Sequence, residues 1–478
     1  MVTKSGHSRH QNELAESPHS RPAILGNMTE IRPPPTADLV VHPDWIVPII
    51  PRGKVLADHS IAVSNGRITG LCERKSALNI DAVEHCHLPG QALLPGFVNA
   101  HGHSAMSLFR GFADDYPLMD WLNEHIWPAE AALVSEEFVR DGTNLALVDL
   151  LLGGTTTFSD QYFFPEITAQ CVDAVGLRAQ LVFPVISVET AWAGNSAECL
   201  RKGLALRDSL RGHPFIDIGF GAHSTYSVDR ETLKKIATLA HELDAVIQIH
   251  LHETKGEVEA SLEQSGDRPI DILAQVGMLG PKTQCVHMTS LSRGDFALLK
   301  DTNSHVVHCP RSNMKIASGI CPTQRLLDNG VNVALGTDGA ASNNRLNMLA
   351  ELQSAALIAK LESSQATALS AVSALELATI NGARALGMEQ VIGSLEIGKD
   401  ADMIAIDLRE PHTQPLNNLI SQLVYATGGH EVSHSWVQGR PLVKNREVIG
   451  LDVAGVIERA NHWSTQLASR GYKDAEDE

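Results

Sequence analysis

The sequence predicts an α/β protein: a closed (β/α)8 barrel of the TIM type carrying a small β-sandwich domain built from both ends of the chain. Three observations predict it. Strand-like apolar runs alternate with helical patterns through the middle of the chain, which argues for a parallel sheet. There are eight such units, the number that closes a barrel. Short β-runs broken by turns flank this region on both sides, and neither set suffices to close a sheet alone.

Composition agrees with this plan and excludes some functions. The chain has 478 residues, 43% apolar and 20% charged, enough for a barrel plus a smaller domain. Its formal charge of −18 repels phosphate backbones, so nucleic acid polymers are excluded as partners while a small base or nucleoside is not. Cys72, Cys86, Cys171, Cys199, Cys285, Cys309 and Cys321 form no Cys-x-x-Cys pair and read as reduced thiols of a cytoplasmic protein. No apolar run reaches the ~18 residues of a membrane span, so no membrane partner is expected.

In chain order, residues 1–35 read as a flexible tail, polar and without the apolar stretch of a secretory signal. Pro33-Pro34-Pro35 forms a stiff spacer, and Met28 could serve as an alternative start. Residues 36–94 form the first part of the sandwich, with strands at Ala37–Val41, Ile46–Ile50, Ser60–Val63 and Arg67–Leu71. Asn65-Gly66 is its hairpin turn. The barrel takes residues 95–395. Its opening strand is Leu93–Val98, followed by Thr155–Asp160, Gly176–Ile186, Ile216–His223, Ala245–His252, Thr283–His287, Ser304–Cys309 and Val331–Asp338. Helical patterns at Val134–Leu151, Arg230–Leu243 and Ser292–Leu299 lie between strands. Residues 396–450 return to the sandwich through Met403–Ile406 and Val432–Val443, and 451–478 form a C-terminal helix.

Chemistry in such a barrel sits at the C-terminal ends of its strands. His101 and His103 follow the first strand; side chains two apart on a strand share a face, so both imidazoles reach one point. His250 closes the fifth strand and Asp338 the eighth. Three imidazoles and a carboxylate suit one catalytic zinc per chain, with room for water. His287 ends the sixth strand, and Glu253 lies three residues after His250. Catalysis on zinc-activated water needs a base near the water and an acid near the leaving side of the substrate. Asp338 with His287 can take the water proton, and Glu253 can donate to a ring nitrogen. His252 and His308 read as core or supporting residues.

These residues resemble the amidohydrolase superfamily, and within it the nucleobase and nucleoside deaminases. The likeness spans about residues 38–450 and rests on Pro95–His103, the run His250-Leu251-His252-Glu253-Thr254, and Gly336-Thr337-Asp338. Gly221-Ala222-His223-Ser224 stands where binuclear members carry a lysine, which implies a single metal. Met106–Gly111, Asp120-Trp121-Leu122 and Trp127–Glu130 are similar to the methylthioadenosine/S-adenosylhomocysteine deaminases. That likeness implies hydrolysis of the adenine amine at C6 with release of ammonia. It further implies that Glu130 holds ribose hydroxyls, Trp121 borders the 5′ side, His223 contacts the nucleoside, and the enzyme is a homo-oligomer, a dimer or tetramer. In one departure, Ala193-Gly194-Asn195 stands where relatives often present an arginine. Two alternatives stay open: a related hydrolase acting on guanine, another nucleobase or a chlorinated triazine, and a catalytically silent binding protein.

Overall fold

Runs such as Ile247–Leu251 and Thr283–His287 are buried along their whole length, as strands covered on both faces must be. The structure, a computed structural model, describes residues 34–469. The expected tail, all but its last two residues, lies outside the described residues, as do Met28 and residues 470–478.

Eight parallel strands pair in sequence order: Phe97–Asn99, Thr155–Asp160, Arg178–Val185, Ile216–Ala222, Ile247–Leu251, Thr283–His287, His305–His308 and Val333–Leu335. The seam between first and last strands is closed by two backbone bonds, Ala100 N–H to Leu335 O at 2.9 Å and Asp338 N–H to His101 O at 3.1 Å. This closure sets the two ends of the chain's metal-ligand pattern side by side. Helices cover the barrel outside. Arg230–Glu242 is typical: Asp229 caps it by accepting from Thr232 N, and Leu233, Ile236, Ala237 and Ala240 make its buried stripe. Between the strands and these helices, Phe183 and Phe220 are fully buried with ring centroids 4.9 Å apart; each such side chain contributes about 1.5–3 kcal/mol by leaving water.

A second sheet has nine strands from both ends of the chain. Its order is Glu447–Val448, Arg440–Lys444, Val432–Val437, Met403–Asp407, Asp81–Pro95, Thr36–Ile46, His59–Ser64 and Arg67–Glu73, with Leu56–Ala57 paired beside Thr36–Ile46. Leu39, Ile61, Ile68, Leu93, Met403 and Trp436 from across this sheet share one apolar cluster. Asn65 and Gly66 both adopt positive φ, 50° and 75°, as the expected hairpin turn requires.

Several boundaries differ from the sequence reading. Thr36–Ile46 is one continuous strand, and the expected strand Ile46–Ile50 does not form. Pro48 and Pro51 offer no N–H to a ladder there. The 15-residue strand Asp81–Pro95 was not expected; much of its first half is exposed, so no apolar alternation marks it. The expected opening strand Leu93–Val98 divides between the sheets: Leu93–Pro95 pairs with Met403–Ala405, and the barrel strand starts at Phe97. Any side chain at Gly96, between them, would collide with Thr156. The last strand stops at Leu335, leaving Asp338 three residues beyond the ladder.

The two sheets are tied by a buried ion cluster. Arg178, at the start of the third barrel strand, bonds Asp400 at 2.8 Å and Asp402 at 3.0 Å. Among the described residues, no helix is long and apolar enough to cross a membrane.

Candidate active site

The strand ends bring the four proposed ligands together. His103 Nε2 lies 3.2 Å from Asp338 Oδ1 and 3.4 Å from His250 Nε2, and His101 Nε2 lies 3.5 Å from Asp338 Oδ1. Each imidazole is oriented from behind. His101 Nδ1 donates to Gln248 Oε1 at 2.6 Å, His103 Nδ1 to the Gln161 carbonyl at 2.6 Å, and His250 Nδ1 to the His223 carbonyl at 2.8 Å. Carbonyl oxygens only accept, so each ring carries a proton on Nδ1, and in the neutral imidazole Nε2 is then the atom left free to bind a cation. Gln248 cannot reverse that choice, because its amide nitrogen donates to the Ala100 carbonyl and to Gln284.

Three such nitrogens beside a carboxylate call for a cation among them. His101 Nε2 is buried with no hydrogen-bond partner, a loss that buried polar groups seldom bear. Burial and the neighbouring imidazoles hold His250 well below its usual pKa, keeping it neutral. The donor set therefore fits one divalent ion of the zinc class, with three nitrogens and one oxygen. His287 Nε2 also faces this cluster, within ligand reach of His101 and His250.

Backbone geometry aims two of these side chains into the cluster. Asp338 and His287 adopt left-handed backbone, with φ of 61° and 76°, a conformation costly for residues with side chains and often found at functional sites. Gly336 lets the eighth strand approach His101, since a Cβ there would come within 2.9 Å of His101 backbone atoms. Asp338 is held by Ser312 Oγ at 2.6 Å, Ser342 Oγ at 3.1 Å and the Gly339 N–H at 2.8 Å. Asn313 Oδ1 accepts from His287 Nδ1 at 2.8 Å. Glu253 Oε2 stands 3.8 Å from His287 Nε2. Burial, then the Asp338 charge, pushes the Glu253 carboxyl up to about 8, so it retains a proton at neutral pH.

All nine candidate residues except His101 line one cavity of about 750 Å³; His101 lies fully buried beneath it. Trp121 begins a π-helical turn, Trp121–Ile126, a distortion frequent at functional sites. Glu130 Oε1 accepts from Tyr162 O–H at 2.7 Å, and burial pushes its carboxyl up to about 7. His223 is held by Ser227 Oγ at 2.8 Å. His252 turns away: its ring bonds the Ser290 carbonyl and the Ile270 N–H. In the departing loop, Asn195 caps the helix Ser196–Ser209. Sequence reasoning missed the supporting residues Gln248, Ser312, Asn313, Ser342 and Tyr162. Only Gln248 carried a usable signal, a polar side chain two residues before His250 on the same strand face.

The amidohydrolase family model matches residues 92–442. The chain belongs to the amidohydrolase family. It is 50% identical to a 5-methylthioadenosine/S-adenosylhomocysteine deaminase of Teredinibacter turnerae, over 91% of this chain and 99% of that one. It is 38% identical to a 5′-deoxyadenosine deaminase of Methanosarcina acetivorans, with the same coverage. Among solved structures, an adenosine deaminase of Xanthomonas campestris with bound zinc superposes with a TM-score of 0.90 at 42% identity, covering 91% of this chain and 100% of that one.

Proposed function

We propose that this amidohydrolase removes the 6-amino group of an adenine nucleoside by hydrolysis, using one zinc per chain. The observation that carries the reading is the convergence of three oriented imidazoles and a carboxylate beside the buried Glu253, whose oxygen stands 3.8 Å from His287, on one cavity. Relatives named for methylthioadenosine, S-adenosylhomocysteine, 5′-deoxyadenosine and adenosine support the substrate class. His101, His103, His250 and Asp338 hold the metal. Zinc, when bound, supplies a water whose pKa falls towards ~7.

The chain's own groups do the rest. Hydrolysis must break ring aromaticity at C6, so the neighbouring ring nitrogen must gain a proton as oxygen adds. Glu253 donates it. Asp338 and His287 take the water's proton and pass it to the departing ammonia. Glu130, positioned by Tyr162, accepts from ribose hydroxyls; His223 contacts the nucleoside; Trp121 borders its 5′ side. The chain works in the cytoplasm, where its seven unpaired cysteines stay reduced, and assembles as a homodimer or tetramer, which light scattering after size exclusion would measure. We propose the domain limits as the sequence reading set them, with the small domain at 36–94 and 396–450 and the barrel over 95–395.

The decisive assay is ammonia release from adenosine, 5′-deoxyadenosine, methylthioadenosine and S-adenosylhomocysteine, alongside elemental analysis. One zinc per chain and release from at least one nucleoside are expected. A zinc-loaded chain inert on all four would sink the reading.

A further inference from the structure

We infer that the cavity selects substrates by the charge of the 5′ substituent, accepting uncharged apolar groups and discriminating against S-adenosylhomocysteine. The inference rests on the adenine-nucleoside reading and divides its substrate class. Beyond the polar floor, the cavity wall is apolar, with Leu118, Trp121, Leu122, Ile126, Ile186 and Val188 among its residues. Among the described residues, no lysine or arginine lines it, whereas Glu130 and Glu189 do.

Cations close to the lining in sequence are engaged elsewhere: Lys255 pairs with Glu259 at 3.1 Å, Arg230 with Asp267 at 2.7 Å, and Arg345 donates to the Gly428 carbonyl at 3.3 Å. Lys315 bonds Asp114 at 2.6 Å and the Ala341 carbonyl at 3.1 Å. Arg311 bonds Asn343 Oδ1 at 3.2 Å and stands 3.8 Å from Glu351. Lys202 bonds the Trp192 carbonyl and pairs with Glu198. The metal's charge serves the ring end of the substrate, beside His103 and Asp338.

The 5′ tail of S-adenosylhomocysteine ends in an ammonium and a carboxylate. Glu189, exposed with Val188 at the mouth of the cavity, could meet the ammonium, but a carboxylate drawn further in, against the buried Leu122 and Ile126, would leave water beside Glu130 with no cation to meet it. A carboxylate without a partner is disfavoured in such a place. A methylthio or longer alkylthio group, by contrast, gains from leaving water. The wall therefore distinguishes the two tails by charge rather than by length.

The test uses the full-length zinc-loaded enzyme and three substrates: methylthioadenosine, 5′-butylthioadenosine and S-adenosylhomocysteine. The two thioethers should have kcat/KM within about tenfold of each other, and S-adenosylhomocysteine should fall at least ~100-fold below them. Glu189→Arg and Val188→Arg, each placing a cation at the wall, should raise the S-adenosylhomocysteine to methylthioadenosine ratio by tenfold or more in at least one variant. Comparable turnover of S-adenosylhomocysteine by the wild type would overturn the inference and leave the deaminase reading standing. So would poor turnover of butylthioadenosine, which would make length the criterion, or an unchanged ratio in both variants. Inertness towards all three would instead overturn the deaminase reading and this inference with it.

Discussion

Each end of the barrel buries a knot of charged and polar groups, and the two are resolved in opposite ways. At the end where the strands begin, Arg178 sits between Asp400 and Asp402, and Gln438 adds its backbone N–H to Asp402 and its amide to Asp400. Opposite charges meet at hydrogen-bond distance. At the end where the strands finish, three imidazole Nε2 atoms and the Asp338 carboxylate face one another, and His101 Nε2 has no partner. The first cluster pairs its charges within the protein: Arg178 meets both carboxylates, and Asp400 Oδ1, which lacks a hydrogen bond, still faces Arg67 at 3.8 Å. The second is complete only with something bound. In a parallel barrel, conserving energy at the bottom and leaving potential unspent at the top is the division expected between stability and chemistry.

The sharpest way to test that division is to remove a ligand. His103→Ala should lose the zinc and all measurable deamination, with the melting temperature of the metal-free protein changed by only a few degrees. Elemental analysis, ammonia release and thermal melting check it together. A variant that keeps both zinc and turnover would remove His103 from the metal set.

Glu253→Gln comes next. It should retain the metal while kcat falls by ~10²–10⁴, the range of general acid-base catalysis. The amide can still hydrogen-bond the ring, so KM should change less than kcat. Loss of zinc in this variant would make Glu253 a ligand, and wild-type turnover would make some other residue the acid.

A smaller effect is expected one layer out. Gln248→Leu removes the acceptor that fixes His101 Nδ1 and should weaken zinc binding by ~10–100-fold, as loss of such supporting groups typically does. Competition with a chelator reads that change. Zinc affinity unaltered by the substitution would show that packing alone orients His101.

How much of this arrangement was legible beforehand differs between the two ends. Thr155–Asp160 and Thr283–His287 form as the sequence reading placed them, because buried parallel strands announce themselves as short apolar or β-branched runs. Asp81–Pro95 gave no such signal, since its first half is half-exposed and polar and only its partner Thr36–Ile46 gives it a place. At the site, a histidine or aspartate just past a strand is visible in sequence. Ser312 and Asn313 are not, because they lie on a short helix after the seventh strand and reach Asp338 and His287 only when neighbouring strands pair. Ser342, four residues past Asp338, is one polar residue of a short helix with nothing to distinguish it. The Arg178 cluster escaped notice for the same reason: its partners are more than 220 residues away in the chain.

That cluster supplies the prediction with the smallest effect on catalysis and a large one on stability. Arg178→Met strands the buried Asp402 without its cation and leaves Asp400 only Arg67 at 3.8 Å, and breaking a buried pair from one side typically costs ~3–5 kcal/mol. The urea midpoint and melting temperature should fall accordingly, while kcat per folded, zinc-loaded molecule stays within about twofold of wild type. If charge is the cause, the triple variant Arg178→Met, Asp400→Asn, Asp402→Asn should recover much of the loss, because no buried charge is then left unpaired. The two readouts separate the ends of the barrel. A stability loss with catalysis intact places the Arg178 cluster on the structural side. A matching loss of kcat in the folded fraction would mean that the two ends are coupled through the strands, and the division of labour drawn above would fail.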